Sequence, residues 1–314
     1  MVKGTTDSKT FVPLVTTERG ARIQVVAPSS PFDEGKLKKG QKRLEKEGFS
    51  FIGNPCPLRP THRFLNGSDR ERSQELNEAF RSEAEIVWMA RGGYGLTRLE
   101  GQLKDEWNRS GPICVGFSDV TALLGALYNA NIPCLHGPLL TTLDGESEES
   151  VSHLLGLLGG TGTIKTVFDL EWMEGPRKGA LGRLFAGNLC VLTHLIGTSW
   201  FPTLDGAILC IEEVGERPYR IDRMLTQLVH SGALEGVRAV IVGTLQGCEE
   251  NPTGDSTALT ALEVIQERLS GLNIPICSGL PFGHGQPNFA LPVGALVELQ
   301  DDPCQLRLRG YPSS

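Results

Sequence analysis

No run of about 18 apolar residues occurs anywhere in the chain, so no helix able to span a bilayer is expected. The eight cysteines, at positions 56, 114, 134, 190, 210, 248, 277 and 304, include no Cys-x-x-Cys pair, which removes zinc knuckles and thioredoxin-like sites. None of the six histidines stands at His-x-x-x-His spacing, so no metal is expected. Neither Gly-x-Gly-x-x-Gly nor a Gly-Lys-Ser/Thr loop is present, which leaves a nucleotide-dependent enzyme without a phosphate-binding fingerprint. A strong charge of either sign is missing too. The formal net charge is -7 and the pI is near 5.5, with the excess spread along the chain. That argues against a nucleic-acid or anionic-membrane partner.

What is present reads as a globular protein. The 314 residues, 39% of them hydrophobic, suit one large or two medium domains. Cys114 in Pro-Ile-Cys-Val and Cys210 in Ile-Leu-Cys-Ile lie inside apolar runs and read as small core residues. The first residues are polar and contain no apolar segment of signal-peptide length, so a reduced, cytoplasmic protein is expected. Residues 1 to about 20 read as a loosely held lead-in. A short buried strand, Arg22 to Ala27, then ends in Pro28-Ser-Ser-Pro. Asp33 to Lys46 predicts an exposed amphipathic helix, and Phe51-Ile-Gly a second strand. Ser68-Asp-Arg-Glu71 has capping-box spacing and starts a helix to about Arg81. Ile86 to Ala90 and Pro112 to Gly116 read as buried strands, the latter turning at Phe117-Ser118 into a helix from Asp119 to Asn129. Strands alternating with helices at this spacing imply a parallel sheet covered on both faces. From about residue 180 the chain is more strand-like, in Ile208–Ile211, Ala239–Gly243, Ala295–Leu299 and Gln305–Leu308. A boundary is placed at 165 to 178, dividing 1–170, an α/β domain, from 171–314, a smaller β-rich domain.

Four segments carry candidate chemistry. In Gly116-Phe-Ser118-Asp119 a serine sits between a strand end and a helix start, where backbone N–H groups and the helix dipole favour a developing anion. The full Gly-x-Ser-x-Gly elbow is absent, since position 120 is Val, and either Ser118 or Asp119 also suits a helix N-cap. Arg91-Gly-Gly-Tyr-Gly95 follows a buried strand, and its N–H groups suit an oxyanion hole or a plain turn. Glu212-Glu213-Val-Gly-Glu216 closes an apolar strand, where a carboxylate can orient a histidine or simply be solvated. His284, between two glycines, lies on a loop with room on both sides. His153, His194 and His230 lie in apolar helical contexts and read as structural, and His62 and His136 lie near turns. A hydroxyl needs a base, and the base needs a partner that fixes its tautomer. These segments supply a serine, a carboxylate and a histidine in that order.

Taken together, Arg91-Gly-Gly-Tyr-Gly95, Gly116-Phe-Ser-Asp119, His136-Gly-Pro138, Gly187-Asn-Leu189, Glu212 through Arg223 and Gly283-His-Gly285 resemble the motifs of the L,D-carboxypeptidases, over roughly residues 20 to 310. These are the muramoyltetrapeptide carboxypeptidases, a family shared with the microcin C immunity peptidases. The resemblance implies a nucleophile at Ser118, a general base at His284 and an orienting carboxylate at Glu212, with the N–H groups of Gly93 and Asp119 holding the oxyanion. Period-two alternation points Glu212 and Glu213 to opposite faces, so only one can serve. The resemblance also implies an amino-terminal domain resembling class I glutamine amidotransferases, a β-rich second domain, a homodimer, no cofactor, and release of terminal D-alanine from a small murein tetrapeptide in the cytoplasm. For substrate contacts the candidates are Arg91, Tyr94, Glu216, Arg217 and Arg220; a guanidinium fork suits a carboxylate, and an acidic stretch suits an amine. The immunity branch would stack a nucleobase on an aromatic ring, for which Trp172 and Trp200 are candidates. An inactive binding module is a third reading, and the filled triad positions count against it.

Overall fold

The computed structural model describes residues 11–12, 17–18, 20–53, 57–59, 64–103, 111–249 and 259–312. Two sheets organise them. The first has six strands in the order Leu291–Val293, Cys134–His136, Ile113–Gly116, Ile86–Met89, Arg22–Val26 and Ser50–Phe51. Neighbours run parallel except Leu291–Val293, which lies antiparallel to Cys134–His136. Ile86–Met89 and Ile113–Gly116 are buried at every position, as expected of strands covered on both faces. The covering helices begin where the local chemistry favours it. Glu34–Lys46 starts one residue after its cap, Asp33, whose side chain accepts from the Lys36 N–H. Asp69–Arg81 carries the complete Ser68/Glu71 capping box.

The second sheet has nine strands. Its centre is Ala180–Asn188, Ala207–Val214, Ala239–Gln246 and Ile276–Ser278, all parallel. The helices Leu189–His194, Pro218–His230 and Ala261–Leu269 connect them, so this half is itself α/β at its centre. In Pro218–His230 the apolar spacing seen in the sequence is the buried face, with Ile221, Leu225 and Leu228 all inside. Antiparallel strands Leu296–Asp301 and Cys304–Pro312 extend one flank. Much of the lead-in lies outside the described residues, but Phe11–Val12 pairs antiparallel with Cys304–Pro312 instead of hanging loose.

Between the sheets runs Thr121–Asn129, buried on nearly all sides. Its first residue accepts a hydrogen bond through Oγ1 from the Asn188 N–H at 2.9 Å. Asn188 in turn is the register partner of Glu212. One strand end of each sheet therefore meets at a single helix start. The seven described cysteines are free thiols, five of them buried. Among the described residues, no helix is long and apolar enough to cross a membrane.

Candidate active site

At the end of Ile113–Gly116 the chain turns through Phe117 into a 3-10 turn, Ser118–Val120, before the α-helix begins at Thr121. The expected helix from Asp119 therefore starts later. Ser118 has φ +67, a left-handed conformation that is uncommon for a residue with a Cβ and costs about 1 kcal/mol. The N-cap reading fails for both candidates, because neither Ser118 nor Asp119 makes a side-chain cap bond there. Asp119 is instead buried. Its Oδ2 accepts from Ser29 Oγ at 2.6 Å and from the Leu96 N–H at 3.0 Å. Burial pushes its carboxyl above the usual carboxylate range, against the pull of those two donors.

The glycine loop 91–95 packs on this turn. Gly93 has φ +107, and a Cβ there would lie 2.4 Å from Ser30 Oγ, so the position excludes every side chain. Ser30 Oγ also accepts from the Tyr94 N–H at 3.2 Å. Beneath, the fully buried Arg72 donates Nη1 to the Gly95 carbonyl at 2.9 Å and to the Pro28 carbonyl, with Nη2 on Asp69 at 2.5 Å. The Pro28-Ser-Ser-Pro turn and Arg72 thus hold the loop from both sides. Arg72 carries no sequence signal beyond its place in an amphipathic helix.

Glu212 and Glu213 part as strand alternation requires. Glu212 is fully buried, and its Oε2 accepts from His284 Nδ1 at 2.7 Å and from the His284 N–H at 3.2 Å. Glu213 points the other way and accepts from Asn188 Nδ2, the Cys190 N–H and the Val214 N–H. It closes the start of Leu189–His194 and has no access to His284. The His284 side chain is 20% exposed, and its ring lies 4.8 Å, centre to centre, from Phe117, the residue before Ser118. Ser118 itself is half-buried; its backbone carbonyl accepts from the Thr121 N–H, and among the described residues its hydroxyl has no hydrogen-bond partner. Serine, imidazole and carboxylate thus share one corner, with the carboxylate inside and the other two reachable from solvent.

Gly283 makes that corner possible. It has φ +104, and a Cβ would sit 2.6 Å from Glu212 Cβ, Cγ and Oε2. Gly283→Ala combines a forbidden backbone region with a clash against the carboxylate, so it is expected to cost roughly 2–4 kcal/mol of stability. In the fraction that folds, kcat should fall about 100-fold, because a shift near 1 Å at a catalytic pair costs that much. Denaturant melts and turnover measured beside Gly197→Ala, where φ is +86 and nothing lies within 4 Å of the added carbon, separate strain from clash. Equal losses in the two variants would reject the clash.

A second carboxylate borders the histidine loop and was invisible in the sequence. Glu146 is buried and accepts from Gln286 Nε2 at 3.1 Å. Burial pushes its carboxyl up to about 7, partly opposed by Gln286, Asn288 and the charge of Arg43. Its folded pKa thus exceeds the unfolded one, so its favourable contribution is complete below about 4.5 and is lost as pH rises through about 7. Glu146→Gln removes that loss. Its stability advantage over the native protein should grow from near zero at low pH to about 1–3 kcal/mol above pH 8, read from melts across the range. An advantage that does not grow with pH would mean that Glu146 is not driven towards its neutral form.

The proposed substrate contacts lie on two segments. Arg91 and Tyr94 are exposed on the glycine loop; Arg91 donates to the Pro31 carbonyl, and Tyr94 packs on Phe64 at 5.4 Å. Glu216 is engaged by Arg220 at 3.1 Å, and Arg217 is exposed at the start of Pro218–His230. Trp200 is in the core, and Trp172 is half-buried beside Arg177. Among the described residues no group of histidine, cysteine, aspartate and glutamate could hold a metal ion.

The site thus combines a left-handed serine at a strand-to-helix turn, the Phe117 ring beside it packed on His284, and a buried glutamate that holds that histidine. The chain matches the LD-carboxypeptidase N-terminal domain over residues 23–137 and the LD-carboxypeptidase C-terminal domain over residues 181–299. It is 40% identical to a putative carboxypeptidase of Synechocystis sp., over 94% of this chain and 96% of that protein. It is 29% identical to the murein tetrapeptide carboxypeptidase of Pseudomonas aeruginosa, over 89% of this chain and 93% of that one. The microcin C7 self-immunity protein of Escherichia coli is 26% identical over 88% of each chain. The crystal structure of a muramoyltetrapeptide carboxypeptidase from Oxalobacter formigenes superposes with a TM-score of 0.80 at 29% identity, covering 93% of this chain and 100% of that one. The chain belongs to the LD-carboxypeptidase family and is a peptidase.

Proposed function

We propose that this protein is a serine-type L,D-carboxypeptidase that releases terminal D-alanine from murein tetrapeptides recovered into the cytoplasm. The observation that carries the reading is the 2.7 Å bond from His284 Nδ1 to the buried Glu212, on a loop whose imidazole packs against the residue before Ser118. With Nδ1–H committed to the carboxylate, Nε2 is the free acceptor. In this reading Ser118 Oγ attacks the scissile carbonyl as its proton passes to His284 Nε2. The tetrahedral oxyanion lies against the N–H groups of Gly93 and Asp119. His284 returns the proton to the leaving amine, D-alanine departs, and an acyl ester stays on Ser118. A water then attacks that ester with His284 again as base, releasing the tripeptide and restoring the serine.

The names of the Pseudomonas and Oxalobacter relatives support the substrate, and the bond cleaved would join the L-centre of a dibasic residue to D-alanine. Residues 1–170 would then bear the nucleophile, and 171–314 the glutamate and histidine. A second reading, cleavage of an aminoacyl-nucleotide toxin, draws on the similarity to the self-immunity protein. The core position of Trp200 leaves Trp172 as the remaining tryptophan of the two for a nucleobase. The deciding assay is D-alanine release from L-Ala-D-Glu-diaminopimelate-D-Ala by the native protein and by Ser118→Ala, with an aminoacyl sulfamoyl adenosine as the second substrate. Release of D-alanine by neither protein rejects the murein reading, and turnover of the adenosine compound alone establishes the second.

A further inference from the structure

His136 is the one fully buried histidine whose ring nitrogens both lack a hydrogen bond among the described residues. His153, also fully buried, shows the usual solution: Nε2 lies 2.8 Å from the Ala290 carbonyl, and Nδ1 accepts the Lys165 N–H at 2.9 Å. An unpaired buried polar group costs free energy and marks a role or a bound water. The position of His136 is informative. It is the register partner of Gly116, two residues before Ser118. Its ring packs edge-on against Phe117 at 5.6 Å and Phe282 at 5.1 Å, the residues that precede Ser118 and the Gly283-His284 pair. The charged or titratable groups that act on it are Glu212 and His284, and burial drops its imidazole to about 4. Glu212 has the complementary defect. Its Oε2 is doubly engaged by His284, while its Oε1 is equally buried and has no partner.

We propose that His136 is a positioning residue of the active site, holding one buried water that donates a hydrogen bond to Glu212 Oε1. One molecule would answer both shortages. It serves in either imidazole tautomer: it accepts from a ring N–H, or it donates its second proton to a bare ring nitrogen. The effect is to fix the rotation of the Glu212 carboxyl group, so that Oε2 stays on His284. The proposal rests on the reading of Glu212 and His284 as a catalytic pair, and it adds a residue that acts through the carboxylate without touching substrate.

The test uses the full chain with His136→Phe, which keeps the ring packing but cannot hold the water, and His136→Gln, which can. His136→Phe should lower kcat roughly 10- to 100-fold, the size of one lost hydrogen bond to a charged group, with KM unchanged. Its acid limb should move to higher pH. A carboxylate without its donor is easier to protonate, so the Glu212–His284 pair takes up its first proton at higher pH. His136→Gln should recover most of kcat and return the limb towards its native place. A merely structural role would lower the melting temperature and leave the limb where it was. NMR titration of the His284 imidazole reads the same shift without substrate. If the native protein releases no D-alanine, the functional reading fails, while the titration still decides this link. A folded His136→Phe with native kcat and a native His284 titration overturns the proposal. Should His136→Phe not fold, a crystal structure of the native protein that resolves waters decides. A water on both Glu212 Oε1 and His136 supports it, and an Oε1 in contact only with carbon overturns it.

Discussion

Ser118→Ala is expected to cut D-alanine release on the order of 10^4- to 10^6-fold, with KM nearly unchanged. The change removes one oxygen from a half-buried residue. No described hydrogen bond is lost with it, because the hydroxyl makes none in the fold, and alanine accepts the same left-handed φ at the same cost as serine. Melting temperature should therefore stay within about 1 °C of the native value, since the predicted stability change is a small fraction of the ~1 kcal/mol that moves a domain by several degrees. The pairing of a very large kinetic loss with an unmoved melt separates a nucleophile from a serine that merely shapes the turn. Residual turnover within tenfold of native would transfer the role to another group. A trapped acyl ester, seen as a mass increment on the native protein in a rapid quench and absent from Ser118→Ala, would place the covalent step on this oxygen.

Much of this site was legible in the sequence because each of its pieces changes the backbone. A strand that breaks into a turn at Phe117-Ser118, consecutive glycines at 92 and 93, and a histidine between glycines all leave marks in residue order. Period-two alternation separated Glu212 from Glu213, and the structure keeps them on opposite faces. What residue order conceals is support at a distance. Arg72 reads as one more charged residue of the helix capped at Ser68, yet it is fully buried against two backbone carbonyls. Glu146 sits in the polar stretch Gly145-Glu-Ser-Glu-Glu-Ser, yet it is buried and bonded to Gln286, 140 residues away. The parallel centre of the second half was concealed for a related reason. Two of its four strands, Ala207–Val214 and Ala239–Gln246, were visible as apolar runs, but whether such runs pair parallel depends on crossovers through helices as short as Leu189–His194. The helix expected from Asp119 begins later because Asp119 is drawn inward to Ser29 and Leu96, a tertiary demand that overrides its local preference for capping.

Glu212→Gln should lower kcat about 1,000-fold while leaving the protein at least as stable as the native form. The side chain is fully buried, and the amide has nearly the same shape as the carboxylate. Two donors from one residue, the His284 backbone N–H and Nδ1, converge on Oε2. They require an acceptor there, so the amide oxygen takes that place and its NH2 faces the other side. The histidine tautomer is therefore kept, and the loss is the negative charge itself. In the proposed mechanism the imidazole becomes cationic as Ser118 gives up its proton, and a carboxylate about 4 Å from that charge is worth roughly 4 kcal/mol at the effective dielectric of a protein site. That is close to a factor of 1,000 in rate. A stability gain is expected because a buried charge is replaced by a neutral group of equal volume. KM should not move, since Glu212 lies behind the histidine. A kcat loss below tenfold would mean that His284 needs no anionic partner. A loss near that of Ser118→Ala would mean that the amide has turned over, placed its NH2 against Nδ1 and forced the proton onto Nε2. Growth of the loss on exchanging Gln for Asn, too short to reach Nδ1, would distinguish holding the ring from charging it.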